Sequence, residues 1–216
     1  MSAKCKAVVL ISGGGSNLQA FIDQIDRKEL DLEIVQVISN VPSAFGLQRA
    51  ATAGIAHDCI NHKDFDSRLE FDRAMVQRID ECSPDIVILA GFMRILTSEF
   101  VNHYANRLVN IHPSLLPKYT GVNTHQRVID AGEKWHGASI HFVIPELDAG
   151  PVILQGKIAI SESDTAQSLQ HRIHKIEHQL YPQAIQWFCQ KRLRVVDDQV
   201  LLDGETSDQQ LQSFNL

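Results

Sequence analysis

Ala7-Val-Val-Leu-Ile-Ser-Gly-Gly-Gly-Ser-Asn17 is the stretch that decides the fold class of this chain. A short, β-branched apolar run stopped by three glycines reads as a buried parallel strand. Leu18, Phe21, Ile22 and Ile25 follow at helical spacing, so a helix is expected over residues 17–30. Outward from this unit the alternation repeats. Strands are expected at 34–40, 55–60, 85–91 and 108–112, and helices at 44–53, 67–82 and 97–106. Thr97 or Ser98 is the expected N-cap of the last helix, with Glu99 in its first turn. Such alternation predicts an α/β fold: a mostly parallel, twisted, Rossmann-like sheet with helices on both faces.

After His112 the pattern changes. Residues 112–122 carry Pro113, Pro117 and Gly121 and read as a shaped loop. Strands are expected at 139–143 and 152–160, then a long helix over 164–190 with Leu169, Ile173, Ile176 and Leu180 inward. Pro182 is expected to kink or restart that helix. Residues 193–202 read as a hairpin around Asp197-Asp198, and 204–216 as a loose polar tail. With no repeat and no linker, a single domain over 1–216 is expected, its core about 7–203.

Composition narrows the function classes. The 216 residues include 20 Lys+Arg against 26 Asp+Glu, a net charge of −6, with 44% hydrophobic and 21% charged residues. That excludes a mostly disordered chain, and the acidic balance argues against a nucleic-acid partner. The four cysteines contain no CxxC pair, so neither a disulfide framework nor structural zinc is expected. The apolar run Ala7–Ile11 is too short for a signal segment or membrane span. A cytoplasmic protein without a membrane partner is expected.

Candidate chemistry sits at three places. Ser12-Gly-Gly-Gly-Ser-Asn17 lies between strand and helix, where glycines let backbone N–H groups and the helix dipole face an anion. It has neither the Gly-Lys-Ser/Thr of a P-loop nor a full GxGxxG, and a plain tight turn with Ser16 as N-cap explains it too. Asn110 and His112, two apart on a strand, face one side at its carboxyl end, where open α/β sheets bind ligands. A structural Asn–His pair is the competing explanation. Asp148, in Glu146-Leu-Asp-Ala-Gly150, is by its position alone a turn former. His171, His174 and His178 share a helix face, but opposite the apolar one, so they are expected on the solvated side and not at a metal. His136 and His141 would face opposite ways on a continuous strand, so no zinc constellation forms there either.

Asn110-Ile-His-Pro-Ser-Leu-Leu-Pro117 resembles a signature of the folate-dependent formyltransferases. Gly137-Ala-Ser-Ile-His-Phe142 followed by Leu147-Asp-Ala-Gly-Pro151 resembles a second. With the glycine loop and Leu89-Ala-Gly-Phe-Met-Arg-Ile-Leu96, the resemblance covers about residues 7–203 and points to members that act on glycinamide ribonucleotide. It implies transfer of the formyl group of 10-formyltetrahydrofolate to that amine in de novo purine biosynthesis, with no metal. It implies that Gly15, Ser16 and Asn17 hold the phosphate, and that Glu177, which flanks the apolar face of its helix, lies near the ribose. Arg68 and Arg94 would face the folate tail, Met93, Arg94, Ile95, Leu96 and Asn110 would meet the folate, and Asn110, His112 and Asp148 would be the catalytic trio. The N-terminal half would then serve the nucleotide phosphate, and the C-terminal half folate and catalysis. The expected partners are these small molecules, and the expected state is a monomer or weak homodimer.

Thr120, Asn123, Ala138 and Ala149 depart from the family pattern beside these motifs, where Pro, often His, Thr or Cys, and Gly are expected. A methionyl-tRNA formyltransferase would need a C-terminal tRNA-binding domain, and a formyltetrahydrofolate hydrolase an N-terminal regulatory one. A non-catalytic nucleotide-binding module would keep the glycine loop without needing the trio.

Overall fold

The computed structural model describes residues 4–206 and 210–215. They fall into two compact units, Met1–Asn110 and Ile111–Leu216.

In the first unit the expected alternation is present: β1 (Cys5–Ile11), α1 (Ser16–Asp26), β2 (Leu32–Ser39), α2 (Phe45–Thr52), β3 (His57–Cys59), α3 (Arg68–Asp80), β4 (Ile86–Leu89), α4 (Ser98–His103) and β5 (Leu108–His112), whose last two residues open the second unit. The strands pair in the order β5-β4-β1-β2-β3, every pair parallel. Ala7–Ile11 and Ile86–Ile88 are fully buried, as central parallel strands require. Leu18 and Phe21 of α1, Phe71 and Met75 of α3 and Phe100 of α4 are fully buried as well. Chain order reverses between β1 and β4, so their carboxyl ends flank the switch point at which such sheets bind ligands. The predicted cap is present: Thr97 Oγ1 accepts the Phe100 N–H.

The second unit holds α5 (Thr124–Asp130), β6 (Trp135–Phe142), β7 (Val152–Ala159), α6 (Ala166–Cys189), β8 (Leu193–Val196), β9 (Gln199–Leu202) and β10 (Leu211–Ser213). β6 and β7 are antiparallel, and β8–β9 is the expected hairpin, with Asp197 and Asp198 at φ 48° and 59°. Strand pairing over the described residues is thus mostly parallel, flanked by helices, and the α/β class holds.

Three local expectations are corrected. Pro182 does not restart the helix, since α6 runs from Ala166 to Cys189 with Pro182 inside it. Proline removes one ladder bond, but Ile176, Leu180, Ala184 and Ile185 are fully buried around it and hold the helix together. Within the expected loose tail, Leu211–Ser213 forms a strand parallel to β7, a backbone pairing that leaves no apolar period to read. α5 was not expected; it starts behind Asn123, which takes the left-handed conformation at φ 58° that Asn tolerates.

Candidate active site

In the first unit the glycine loop follows β1 and the Met93–Leu96 segment follows β4, the two strands that flank the switch point. The Ser12 N–H donates to the Gly91 carbonyl (3.1 Å), and the Ser12 hydroxyl accepts the Met93 N–H (2.7 Å) and donates to Asn40 Oδ1 (2.6 Å). One side chain thereby ties the glycine loop to the segment after β4. Ser16 is not the N-cap; Gly15 is, at φ 68°, with no side chain capping the helix. A Cβ on Gly15 would lie 2.7 Å from Gly46 Cα, so glycine is required there by packing as well as by φ. Ser16 and Asn17 form the first turn of α1, whose N–H groups no acidic side chain occupies.

Met93 and Ile95 are 70% and 57% exposed, while Leu96 is buried beneath them. Arg94 lies over the Phe71 ring (5.6 Å), and its buried Nε has no hydrogen-bond partner. Arg68, the first residue of α3, is exposed and makes no hydrogen bond or ion pair among the described residues. Exposed apolar side chains beside unsatisfied guanidinium donors suit an aromatic ligand that ends in carboxylates. Asp72, which the sequence reading missed, supports this segment: its buried carboxylate accepts the Thr97 N–H (2.6 Å).

Alternation along β5 places Asn110 and His112 on one side of the strand and Ile111 on the other. In the second unit His112 Nδ1 stands 3.4 Å from Asp148 Oδ2, with both side chains buried. His112 Nε2 lies 2.9 Å from the Tyr119 carbonyl. Both ring nitrogens therefore face oxygen atoms. Asp148 takes φ 52°, and its Oδ2 also accepts the Gly121 N–H (2.8 Å). The Pro113–Val122 loop is held by β6 and β7: Ser139 Oγ donates to Ser114 O (2.6 Å), and Gln155 Nε2 donates to Leu116 O (3.0 Å).

His141 also belongs to the site, and the sequence reading missed it. Its Nε2 is 4.0 Å from Asp148 Oδ1, whereas His112 approaches Oδ2, and its Nδ1 donates to the Phe142 carbonyl. Burial pushes His141 down, only partly offset by that bond and the Asp148 charge. A register shift between Ile140 and His141 breaks the simple alternation of β6, which is why spacing could not place it. The available signal was its position in the Gly137–Phe142 motif.

Glu177 is on α6 and buried, beside Tyr181, whose hydroxyl it helps push up after burial itself. His171 is exposed as expected, but His174 and His178 are half-buried and stacked 6.3 Å apart. Among the described residues, no group of three or more His, Cys, Asp or Glu is placed to hold a metal ion.

The first unit thus carries a switch-point glycine loop and an exposed apolar segment with free guanidinium donors, and the second a buried His–Asp pair. The formyl transferase family profile matches residues 5–185, and the chain belongs to that family. Phosphoribosylglycinamide formyltransferase of Escherichia coli (strain K12) is 49% identical over 198 residues, 92% of this chain and 93% of that protein. The structure of phosphoribosylglycinamide formyltransferase from Coxiella burnetii superposes with a TM-score of 0.92 at 47% identity, covering 98% of this chain and all of that one. A formyltetrahydrofolate deformylase from Pseudomonas syringae pv. tomato str. DC3000, at 24% identity and a TM-score of 0.87, covering 93% of this chain and 66% of that one, shares the fold.

Proposed function

We propose that this protein transfers the formyl group of 10-formyltetrahydrofolate to the amino group of glycinamide ribonucleotide, giving formylglycinamide ribonucleotide and tetrahydrofolate, in the cytoplasm as a step of purine biosynthesis. The observation that carries the reading is the buried His112–Asp148 pair, two residues after Asn110, in a chain 49% identical to an enzyme of that name. In the reaction a bond forms between the acceptor nitrogen and the formyl carbon. The bond to the folate nitrogen breaks, and one proton passes from the amine to that nitrogen. The Asn110 amide donates to the developing oxyanion; such a donor is worth ~10²–10³ in rate. The His112 ring stabilises the same charge and relays the proton, and Asp148, 3.4 Å from its Nδ1, fixes the ring's orientation.

Binding is divided among the remaining residues. Gly15, Ser16 and Asn17 take the phosphate and Glu177 the ribose. Arg68 and Arg94 take the folate tail, while Met93, Ile95 and Leu96 line the ring. The exposed Met93 and Ile95 and the unsatisfied Arg94 Nε support that assignment. A single family match running from residue 5 to 185 supports reading the whole chain as one domain. No helix among the described residues is long and apolar enough to cross a membrane.

The test is a spectrophotometric assay of formyl loss from 10-formyltetrahydrofolate, with and without glycinamide ribonucleotide. Turnover is expected only when the ribonucleotide is present. Equal turnover without it would make water the acceptor and the protein a hydrolase, and no turnover in either case would leave a binding module.

A further inference from the structure

The glycine loop is not held by its own residues alone. Two of its carbonyls are pinned from α2. The Gly46 N–H donates to Gly13 O (3.0 Å), and the Arg49 guanidinium donates through Nε to Gly14 O (2.8 Å). In a planar trans peptide the carbonyl and the following N–H point in opposite directions. Pinning Gly13 O and Gly14 O toward α2 therefore turns the N–H groups of Gly14 and Gly15 away from it. Neither N–H donates to a protein acceptor among the described residues, although Gly15 is buried. The Gly15 carbonyl then accepts the Gln19 N–H (3.0 Å) and starts α1.

Arg49 is held in place on several sides. Its Nη1 donates to Gln19 Oε1 (2.9 Å), its Cζ lies 5.0 Å from the Phe45 ring centre, and its Cδ is 3.5 Å from where a Cβ of Gly15 would be. No carboxylate pairs with it among the described residues, so its positive charge beside the loop is uncompensated. Gln19 is occupied in turn, donating through Nε2 to Asp23 (2.8 Å).

We propose that Arg49 is a positioning residue of the phosphate cradle: it fixes the Gly14–Gly15 peptide so that its N–H faces the ribonucleotide phosphate, and it adds positive charge there. The inference rests on the reading of residues 13–17 as the phosphate site, so the experiment includes a variant of the loop itself. Steady-state formyl transfer is measured against each substrate for wild type, Arg49→Ala, Arg49→Lys and Ser16→Asp, with thermal midpoints alongside. Arg49→Ala is expected to raise the KM for glycinamide ribonucleotide about tenfold, as for loss of a hydrogen bond from a charged donor. The folate KM should stay within about twofold, as for a remote site, and the effect on kcat should be smaller than that on KM. Arg49→Lys keeps the charge and one donor and should recover most of the loss. A ribonucleotide KM unchanged in Arg49→Ala but raised in Ser16→Asp overturns the role of Arg49 and leaves the phosphate reading standing. An unchanged KM in both variants removes the phosphate reading and the inference with it. Equal rises in both KM values, tracking a lower thermal midpoint and not relieved by lysine, would make Arg49 purely structural and overturn the proposal.

Discussion

Asp148 sits at φ 52°, a conformation that Asn and Asp share and most residues avoid, so Asp148→Asn keeps the turn and removes the charge. Its Oδ2 is then no longer an anion 3.4 Å from His112 Nδ1. Activity at neutral pH is expected to fall by ~10²-fold or more, in line with general acid–base contributions, with the thermal midpoint nearly unchanged. The two are read together by kinetics and a melting curve. Near-normal turnover would return Asp148 to the status of a turn former. Because the groups act as a unit, Asp148→Asn combined with His112→Ala should lose less than the product of the single losses. At the Met93–Leu96 segment, Arg94→Ala should raise the folate KM about tenfold, the scale of a lost charged hydrogen bond, and lower kcat less. Tail contacts are nearly equal in ground and transition states. The same assay run with Arg68→Ala tests the second cation, and a wild-type folate KM in both variants would move the tail elsewhere.

At the scale of elements, helix stability and anion binding can be set against each other at one residue. Ser16→Asp places a carboxylate in the first turn of α1, where it interacts favourably with the helix dipole. A phosphate in the same place would be repelled. Ribonucleotide affinity, measured by calorimetric titration, should therefore drop at least about tenfold, a ~1.4 kcal/mol change, while the melting temperature holds or rises. Gly15→Val is a blunter probe, because a side chain there meets the backbone of α2 before it meets any ligand. In the second unit, Gly156 marks how closely β7 and α6 approach. A Cβ there would lie 2.5 Å from Leu180 Cδ1, 2.7 Å from Ile176 Cγ2 and 2.9 Å from the Phe214 ring. Gly156→Ala should cost about 1–3 kcal/mol of unfolding free energy, the usual range for overpacking, as read by urea denaturation. No loss would mean that the contact between strand and helix yields freely.

For the molecule as a whole, acid is the condition to watch. His125 Nδ1 and His136 Nε2 lie 2.9 Å apart, so one ring must accept from the other and both cannot be charged. Burial, with the charges of His174 and His112 adding to it, pushes His125 down to about 4. Burial, with His125 and His112 adding, pushes His136 down to about 3. An unfolded histidine titrates near 6.5. Between these values the unfolded chain binds more protons, so stability is fully present above about pH 6.5 and falls as the pH drops toward 4 and 3. Urea titrations from pH 7 to about 4.5 should show that decline, and His125→Gln should reduce the slope by up to about 1.4 kcal/mol per pH unit. Identical slopes in wild type and variant would remove the pair from acid sensitivity.

The parallel strands and their helices were legible in sequence because each buries a continuous apolar run or one apolar stripe, and burial is written into residue type. β5 is the clearest case, with the same ends, Leu108 and His112, in sequence and structure. The Asn110–Pro117 and Gly137–Pro151 stretches and the glycine loop stood out for a related reason: their spacing is local, within one strand or one turn. What lay outside such periods had to wait for the fold. β10 is a backbone pairing without an apolar pattern, and α6 passes Pro182 because distant packing outweighs one lost hydrogen bond. His141 and Asp148 meet across a register shift that no alternation predicts. Arg49 reaches Gly14, 35 residues away, and Ser12 reaches Met93, 81 residues away. The sequence alone determined which chemical groups the protein carries and on which elements. Only the tertiary structure decided which of them touch, because hydrogen bonds and ion pairs between residues far apart in the chain depend on how the elements pack, and residue type and spacing do not encode that distance.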